Sequence, residues 1–484
     1  MNLLFATSEV YPLIKTGGLA DVAASLPRAL LKLDIDVKIV LPAYTNVLLQ
    51  AEKVELKTLS TISISGQKIL LQQTRLPGTR VKVILVNIEE FSTREGNPYC
   101  GPDGNDWPDN HWRFFWFARA IEAIALNQAG LNWPVDIVHC NDWQTGLVPA
   151  FLSEQPDSPP CVFTIHNLAY RGIFSYQAFA ELNLPDSFWH HEKLEFYGQL
   201  CFMKGGLNFA KKITTVSPSY ANEIQTPEFG NGLDGLMTYR KDDLHGILNG
   251  IDTDEWNPNA DKHLLHKFNR RSLSGKQKNK MELQQQLGLK IKGDIPLLGF
   301  VGRLVDQKGV DLILAQMSLL LGKDCQLVFL GSGFPHYEKA LTTIAAQYPD
   351  KVAVVIGYNE ELAHRIEAGC DLFLMPSLFE PCGLNQLYSL RYGTLPIVQA
   401  VGGLQDTIFE SSFESSVDQL TEEANGFIFR EPTAIELHHA ICRALDAYHN
   451  PVFFKKLQQN AMRRDSSWEK SALEYKALYE SLLA

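Results

Sequence analysis

Two positively charged residues stand five positions apart in segment 302–309, GRLVDQKG, directly after an apolar run at 296–301. If that run is a buried strand, Arg303 and Lys308 lie at its carboxyl end, where open α/β sheets bind ligands. Arginine can donate two parallel hydrogen bonds to phosphate oxygens, and lysine adds a compact positive charge. The pair could therefore stabilise a departing nucleoside diphosphate in place of a metal. The alternative is a pair of solvated surface cations, and the strand-end position favours the functional interpretation.

A second candidate for anion binding is segment 15–22, KTGGLADV, which follows the first strand-like run and opens a helical pattern. Gly17 and Gly18 allow the backbone to approach a ligand and leave N–H groups at a helix N-terminus. Lys15 and Asp21 bracket the two glycines. Two glycines alone would favour a plain strand-to-helix turn, but the flanking charges favour a ligand site.

A carboxylate occupies a similar position in segment 379–386, FEPCGLNQ. Glu380 could accept hydrogen bonds from sugar hydroxyls, and the N–H groups near Gly383 and Leu384 could meet phosphate. The alternative is that Glu380 caps the next helix. Cys382 lies at the predicted helix start among positive charges, which lowers a thiol pKa and predicts that alkylation there blocks activity. A small buried cysteine is the alternative.

Two further strand ends carry polar residues. His166 follows the run 161–165, and Asp142 and Trp143 follow the run 136–140. A lone histidine is more often structural than catalytic. An indole face can stack on sugar C–H groups while a carboxylate binds hydroxyls. Asp142 as a helix cap beside a core Trp143 is equally compatible with the sequence.

These motifs, in this order and over nearly the whole chain, resemble those of the bacterial glycogen synthases and plant starch synthases. The resemblance implies transfer of glucose from a nucleotide-diphosphate donor to the non-reducing 4-hydroxyl of an α-1,4-glucan, with retained configuration. The motif around Lys15 favours ADP-glucose over UDP-glucose and leaves UDP-glucose open. A non-catalytic glucan-binding protein is the other alternative, and the intact charged residues argue against it.

The resemblance also implies a role for each candidate. The catalytic residues would be Glu380, Arg303, Lys308, His166 and Asp142, with His166 recognising the donor glucose. The donor-binding residues would be Lys15, Gly17, Gly18, Asp21, Asn249, Tyr358, Cys382, Gly383 and Leu384. The acceptor-binding residues would be Tyr99, Asp142 and Trp143. Many related transferases carry a second glutamate eight residues after the first, whereas Tyr388 stands there, as in the bacterial-type synthases.

No metal and no cofactor are expected. Segments 34–36 and 252–254 both read Asp-x-Asp, a pattern of metal-dependent transferases. Two acids at this spacing are common by chance, and neither pair follows a buried strand as such a site requires. Adjacent histidines, as in 190–191 and 438–439, diverge on a helix and make a poor ligand pair.

The elements that must position these residues are short apolar runs alternating with helical patterns, as in βαβ units. The runs are 3–8, 37–41, 81–88, 136–140, 161–166, 213–217, 296–301, 326–331, 352–357, 371–376 and 395–399. The alternation pauses at 252–294. We therefore expect an α/β fold of two Rossmann-like domains facing each other across a cleft, of GT-B type. The domains are residues 1–244 and 245–462, with a hinge near 244–251, and the resemblance implies that helix 463–484 returns to the first domain.

Length and charge agree with this expectation. The chain has 484 residues, more than one core usually serves. Its net charge of −11 disfavours nucleic acid or an anionic membrane as partner. The eight cysteines show no paired spacing, and neither a signal peptide nor a long apolar segment is recognisable. A cytoplasmic enzyme whose partners are a nucleotide sugar and an α-glucan is expected.

Overall fold

The computed structural model describes residues 1–94, 96–410 and 420–484. They form two compact units: unit 1 is Met1–Asn249 with Trp468–Ala484, and unit 2 is Gly250–Ser467. Both boundaries fall a few residues later than the sequence suggested at 244 and 463. Residues 244–246 form a strand in the sheet of unit 1, and Arg464 donates a hydrogen bond to the Asp406 carbonyl within unit 2.

Unit 1 is built on a sheet whose order is β12-β11-β7-β6-β1-β2-β5-β4-β3. Its strands, labelled in chain order, are β1 (Asn2–Ala6), β2 (Asp36–Pro42), β3 (Lys57–Ile64), β4 (Gln67–Arg75), β5 (Lys82–Asn87), β6 (Ile137–Asn141), β7 (Cys161–Ile165), β11 (Lys212–Thr215) and β12 (Leu244–Gly246). The central strands are parallel and almost wholly apolar because both of their faces are covered by helices. Their carboxyl ends therefore meet at one edge.

Helices and a small second sheet complete unit 1. The helices are α1 (Gly18–Leu31), α2 (Thr45–Glu52), α3 (Glu89–Ser92), α4 (Asn110–Ala125), α5 (Leu147–Ser153), α6 (Tyr176–Glu181), α7 (Phe202–Phe209), α8 (Pro218–Glu223), α9 (Asp234–Tyr239) and α18 (Trp468–Leu483). The antiparallel small sheet has the order β8 (Ile173–Phe174), β10 (Gln199–Cys201), β9 (Glu195–Phe196). Helix α4 ends at Ala125, and Asn127, two residues further on, adopts a left-handed conformation with φ 58°.

Unit 2 contains a fully parallel sheet of order β15-β14-β13-β16-β17-β18. Its strands are β13 (Leu297–Val301), β14 (Gln326–Gly331), β15 (Val352–Ile356), β16 (Leu372–Met375), β17 (Leu395–Gln399) and β18 (Phe427–Phe429). Its helices are α10 (Ser274–Gln286), α11 (Val310–Leu321), α12 (Pro335–Gln347), α13 (Glu360–Gly369), α14 (Asn385–Tyr392), α15 (Gly402–Thr407), α16 (Ala434–Tyr448) and α17 (Pro451–Ala461). An extended apolar core surrounds this sheet, and a smaller cluster of buried residues forms around Trp256 and Tyr392.

The two-domain α/β prediction is thus confirmed, and all eleven predicted runs contain a strand. The antiparallel pair β3–β4 was missed. Most residues of these strands are exposed or partly exposed, and neither strand forms a continuous buried apolar run. Ser65 and Gly66, both at positive φ, make the tight turn between them.

The last helix, α18, packs on unit 1. The Tyr479 hydroxyl and His139 Nδ1 lie 2.7 Å apart, and both residues are fully buried. Lys476 donates to the carbonyl of Leu33, which follows α1. Through these contacts, residues from the N-terminal and C-terminal parts of the chain pack in one core. Among the described helices, none combines the length and the apolar run that a bilayer crossing demands.

Candidate functional site

In unit 1 the sequence-predicted residues gather where β1, β6 and β7 end. These strands are neighbours in the sheet and run parallel. The loop 7–17 follows β1, Asp142 follows β6, and His166 follows β7. Because parallel strands share one carboxyl edge, three motifs that are far apart in the sequence lie together.

Glu9 organises this edge, and the sequence analysis missed it. Its buried carboxylate accepts hydrogen bonds from Thr16 N and Thr16 Oγ1, from Gly17 N at 3.2 Å and from the Tyr99 hydroxyl at 2.6 Å. In this structure the Gly17 N–H is donated to Glu9, and the assignment of Gly17 to donor binding stays a prediction. The signal was available, since Glu9 follows a buried strand just as the recognised candidates do.

Lys15 and Asp21 form an ion pair across the start of α1, with Lys15 Nζ 2.9 Å from Asp21 Oδ1. Gly17 is the N-cap of this helix, and Gly18 is its first residue. Both charged side chains remain about one quarter exposed, at 27% and 23%. The ion pair holds the lysine ammonium group beside the first turn of the helix, as the prediction of an anion site requires.

Asp142 fixes the loop that carries His166. Asp142 has a positive φ of 55°, and its Oδ1 accepts a hydrogen bond from His166 N at 2.8 Å. Burial raises the pKa of Asp142 to about 7, although hydrogen bonds from backbone N–H groups oppose the rise. Its carboxylate reaches across to the neighbouring strand end and does not cap the following helical turn.

The His166 ring is neutral at physiological pH because burial lowers its pKa to about 3. His166 Nε2 lies 2.9 Å from Asn141 Oδ1, which can only accept, so Nε2 carries the proton. Nδ1 therefore keeps its lone pair. This state suits hydrogen bonding to a hydroxyl and is unsuited to acting as a general acid, and the predicted role of His166 in recognising the donor glucose stays a prediction.

Trp143 belongs to an aromatic core. Only 9% of it is exposed, and its ring centroid lies 4.9 Å from Phe114 and 5.9 Å from Phe174. Gly172 has a positive φ of 61°, and a Cβ added there would lie 2.4 Å from the indole. The expected stacking of Trp143 on an acceptor sugar is therefore not supported, and the structure favours the core alternative.

Tyr99 is half-buried, and its hydroxyl donates to Glu9 and accepts from Ser8 Oγ at 2.8 Å. Burial, followed by the nearby Glu9 charge, raises the pKa of Tyr99 well above its usual value. The neutral phenol and the Glu9 carboxylate thus form one hydrogen-bonded group at the edge of unit 1.

In unit 2 the neighbouring strands β13 and β16 bring the Arg303–Lys308 and Glu380 loops together. Lys308 Nζ lies 2.5 Å from Glu380 Oε2, and Ser377 Oγ donates to the same oxygen at 3.0 Å. Glu380 does not cap the next helix, because α14 begins at Asn385. The capping alternative is therefore excluded.

Gln307 connects the two loops. It accepts from Arg303 Nη2 at 3.1 Å and donates through Nε2 to the Phe379 carbonyl at 3.2 Å. Arg303 itself is exposed. Gly309 permits the close approach, because it has φ 65° and a Cβ there would lie 2.0 Å from the Pro376 carbonyl oxygen. Lys308 and Glu380 are thus held together, and Arg303 is connected to their loops through Gln307.

The second Gly-Gly-Leu-x-Asp segment, 402–406, has a structural role. A Cβ on Gly402 would lie 2.1 Å from the Glu380 carbonyl oxygen, and one on Gly403 would lie 2.2 Å from the Cys382 carbonyl oxygen. Gly403 N also donates to the Glu380 carbonyl. These glycines therefore support the Glu380 loop.

Cys382 is buried, and three positions separate it from the first residue of α14. This placement favours the alternative of a small buried cysteine over the reactive thiol. Gly383 adopts a left-handed conformation, φ 73°, and Gln386 folds back on the loop by donating to the Cys382 carbonyl. Leu384 is the N-cap of α14.

Two donor-binding candidates lie apart from these clusters. Tyr358 follows β15, is 74% exposed and donates its hydroxyl to the Glu360 carboxylate. Asn249 is the last residue of the first segment of unit 1. It is buried, and its Oδ1 has no hydrogen-bond partner among the residues that the structure describes. Such an atom is costly unless a ligand or water satisfies it.

Tyr388, which replaces the second glutamate of related transferases, stacks on Trp256 with a centroid separation of 3.7 Å. The Asp-x-Asp segments also have local roles. Asp36 accepts from Trp133 Nε1 at 2.8 Å, and Asp252 accepts from the backbone N–H groups that follow it.

Comparison with known proteins agrees with this geometry. Residues 2–239 match the family described as starch synthase catalytic domain, and residues 283–463 match glycosyl transferases group 1. A protein named glycogen synthase from Cellvibrio japonicus is 69% identical over 99% of both chains. Another of that name from Marinobacter nauticus is 53% identical over 100% of this chain and 98% of its own.

The fold has a solved counterpart. The catalytic domain of starch synthase IV from Arabidopsis thaliana, bound to ADP and acarbose, superposes with a TM-score of 0.87 and 33% identity over 99% of each chain. Motif order, the two clusters at strand ends and these full-length similarities agree: the chain belongs to the family of glycogen and starch synthases.

Proposed function

We propose that this chain elongates an α-1,4-glucan by transferring glucose from ADP-glucose to the non-reducing 4-hydroxyl, with retained configuration. The observation that carries the proposal is the cluster of Arg303, Lys308 and Glu380 at the carboxyl ends of β13 and β16. Two cations and one carboxylate at neighbouring strand ends suit a sugar diphosphate. The Cellvibrio relative named glycogen synthase and the ADP-bound Arabidopsis structure support the choice of reaction and donor.

The two cations would act on the leaving group. As the bond from glucose C1 to the diphosphate oxygen breaks, negative charge develops on ADP. Arg303 and Lys308 present positive charge that is already in position, so little reorganisation is needed. The departing phosphate oxygen would take the proton from the acceptor 4-hydroxyl, while that hydroxyl oxygen bonds to C1 from the same face. The step requires no protein nucleophile.

Glu380 would orient the donor glucose. Its carboxylate is held by Lys308 and Ser377, so its remaining lone pairs can accept hydrogen bonds from sugar hydroxyls in a fixed direction. Because Lys308 contacts this carboxylate directly, a change at one residue should disturb both the sugar and the diphosphate positions.

The cluster of unit 1 would recognise sugars. Neutral His166 has a ring nitrogen able to accept from a hydroxyl, and the lone pairs of Asn249 Oδ1 suit a donor N–H or O–H group. Asp142 and Tyr99 would face the acceptor, and Lys15 would add charge near the nucleotide. The exposed Tyr358 ring would stack on the nucleoside base. We place the reaction in the cytoplasm, since all eight cysteines are free thiols.

One assay separates the alternatives. The chain is incubated with glycogen and radiolabelled ADP-glucose or UDP-glucose, and label in the polymer is counted. We expect label from ADP-glucose to enter the polymer, with a higher kcat/KM than for UDP-glucose. A higher kcat/KM for UDP-glucose would overturn the donor assignment, and glycogen binding without incorporation would identify a glucan-binding protein.

The cation cluster has its own test. Arg303→Ala should lower kcat about 10²–10³-fold, as expected when one transition-state donor is lost. Lys339→Ala is the control, because Lys339 is an exposed cation on α12 of the same unit. Undiminished turnover in the Arg303 variant would refute the proposed role.

A further inference from the structure

Three side chains converge in unit 2 away from the Glu380 cluster. They are Glu255, in the segment that precedes Trp256, and Glu360 and His364, one turn apart on α13. One ligand atom from each lies within 4.8 Å of the others. His364 Nε2 and Glu360 Oε1 are 3.8 Å apart. Two ligands of a tetrahedral ion with bonds of about 2.1 Å are roughly 3.4 Å apart, so only a small adjustment is needed.

His364 is prepared as a ligand. It is fully buried, and its Nδ1 lies 2.7 Å from Asp261 Oδ2. The carboxylate accepts the hydrogen bond from Nδ1–H, so Nε2 is the ring nitrogen that can face an ion. Within the described part of the chain, Nε2 has no hydrogen-bond partner. A carboxylate that orients the far nitrogen of an imidazole is the usual second contact of a metal-binding histidine.

The surroundings fix the ring and the carboxylate that supports it. Trp256 stacks on His364 with centroids 3.8 Å apart and an interplanar angle of 8°. Asp261 also accepts from the Tyr392 hydroxyl and from His263 N, which holds its position. Preorganisation of this kind lowers the cost of assembling a site when an ion binds.

We infer that Glu255, Glu360 and His364 bind a divalent transition-metal cation, with Zn²⁺ the preferred ion. One imidazole and two carboxylates suit Zn²⁺ better than Mg²⁺ or Ca²⁺, which take all-oxygen sets. The three protein ligands leave a fourth position for water. The ion would offset the repulsion between the two glutamates and satisfy Nε2.

The cation would have a structural role and would take no part in the transfer of glucose. It joins the 252–256 segment, which opens unit 2, to α13. It also holds Glu360, whose other oxygen accepts from the Tyr358 hydroxyl. Its expected effect is on the thermal stability of the chain and not on the chemical step, because Arg303 and Lys308 belong to a different cluster.

The test is metal binding by the full chain. After chelator treatment and dialysis, ZnCl₂ is titrated into wild type and variants by isothermal titration calorimetry. Wild type should bind one ion at this site, and Glu255→Gln and Glu360→Gln should each weaken that binding at least tenfold. Glu361→Gln is the matched control, since Glu361 is the next residue on α13 and pairs with Arg365 instead.

Cobalt distinguishes this site from one that uses cysteine, such as the contact between Cys442 and His438. The Co²⁺ form should lack a sulfur-to-metal charge-transfer band and should lose its visible absorption in Glu360→Gln. Zinc binding that persists unchanged in both glutamine variants overturns the assignment. No stoichiometric binding at any accessible concentration also overturns it.

Discussion

Replacing Lys308 by alanine removes the ammonium group that lies 2.5 Å from Glu380 Oε2. The change should have two separable effects. The loss of a cation aimed at the leaving diphosphate should lower kcat about 10²–10³-fold, or roughly 3–4 kcal/mol of transition-state stabilisation. The binding of ADP, which lacks the sugar, should weaken as well because the same charge attracts the product.

The second effect is on stability. The side chains are 21% exposed for Lys308 and 9% for Glu380, so screening by water is limited. Without the lysine, Glu380 Oε2 keeps the hydrogen bond from Ser377 Oγ but loses its cationic partner. Loss of a hydrogen bond to a charged, mostly buried group costs about 2–3 kcal/mol. For a unit of this size that corresponds to a fall in Tm of roughly 4–10 °C.

The assay compares wild type, Lys308→Ala, Glu380→Gln and the double variant by initial rate, ADP binding and differential scanning calorimetry. Glutamine at 380 removes the uncompensated charge. The double variant should therefore regain most of the Tm lost in Lys308→Ala, while its kcat stays low. This pattern separates a packing defect from the loss of electrostatic stabilisation.

Two results would refute the reasoning. If Lys308→Ala kept kcat within about threefold of wild type, the loss would be far smaller than the roughly 10²–10³-fold expected for a group that stabilises the transition state, and Lys308 would not have that role. If the double variant recovered both stability and turnover, Lys308 would serve only to hold Glu380.

Three other predictions concern the surrounding structure. Gly309→Ala should lower the free energy of unfolding by about 2–4 kcal/mol, because Gly309 has a left-handed φ of 65° and lies against a carbonyl oxygen. Gly322→Ala is the control and should melt like wild type, because Gly322 has φ −75°. Equal melting temperatures for the two variants would contradict this. Asp142→Asn removes a carboxyl whose folded pKa of about 7 exceeds the unfolded value of about 3.9, so wild type loses stability as pH rises from about 4 to 7. Relative to wild type, the variant should therefore gain the equivalent of about 1–3 kcal/mol in a thermal melt between pH 5 and 8, and a Tm difference that stays constant with pH would disprove it. Tyr479→Phe, which deletes the hydroxyl bonded to buried His139, should cost about 1–2 kcal/mol in a thermal melt, and an unchanged Tm would count against that bond.

The fold was largely predictable because its central strands are buried on both faces. Continuous apolar runs mark such strands clearly, and every run identified contains one. The hairpin β3–β4 lies at the sheet edge with one polar face, so the same criterion could not detect it. The Ser65-Gly66 turn between two alternating segments was the signal that would have done so. Helix α10 was also missed, since its polar sequence has almost no apolar face.

The sequence predicted which strand ends carry the candidate residues, but it did not predict most of the contacts that these residues make with each other. Parallel strands bring Lys308 and Glu380 together, and their motifs already pointed to one edge. Sequence could not show that Trp143 is enclosed by phenylalanines, because a surface platform and a core indole have the same local pattern. Nor could it show that Glu9 takes the Gly17 N–H, since that contact depends on how the loop folds back on its own strand.

The place of α18 in unit 1 constrains how the chain can fold as it is synthesised from its N-terminus. Strand β6 carries His139, whose buried ring meets a hydroxyl from residue 479. Unit 1 therefore lacks part of its interior until all of unit 2 has left the ribosome. Until then, the apolar surface of unit 1 on which α18 packs must be covered by other means. A truncation before Trp468 would leave that surface permanently uncovered.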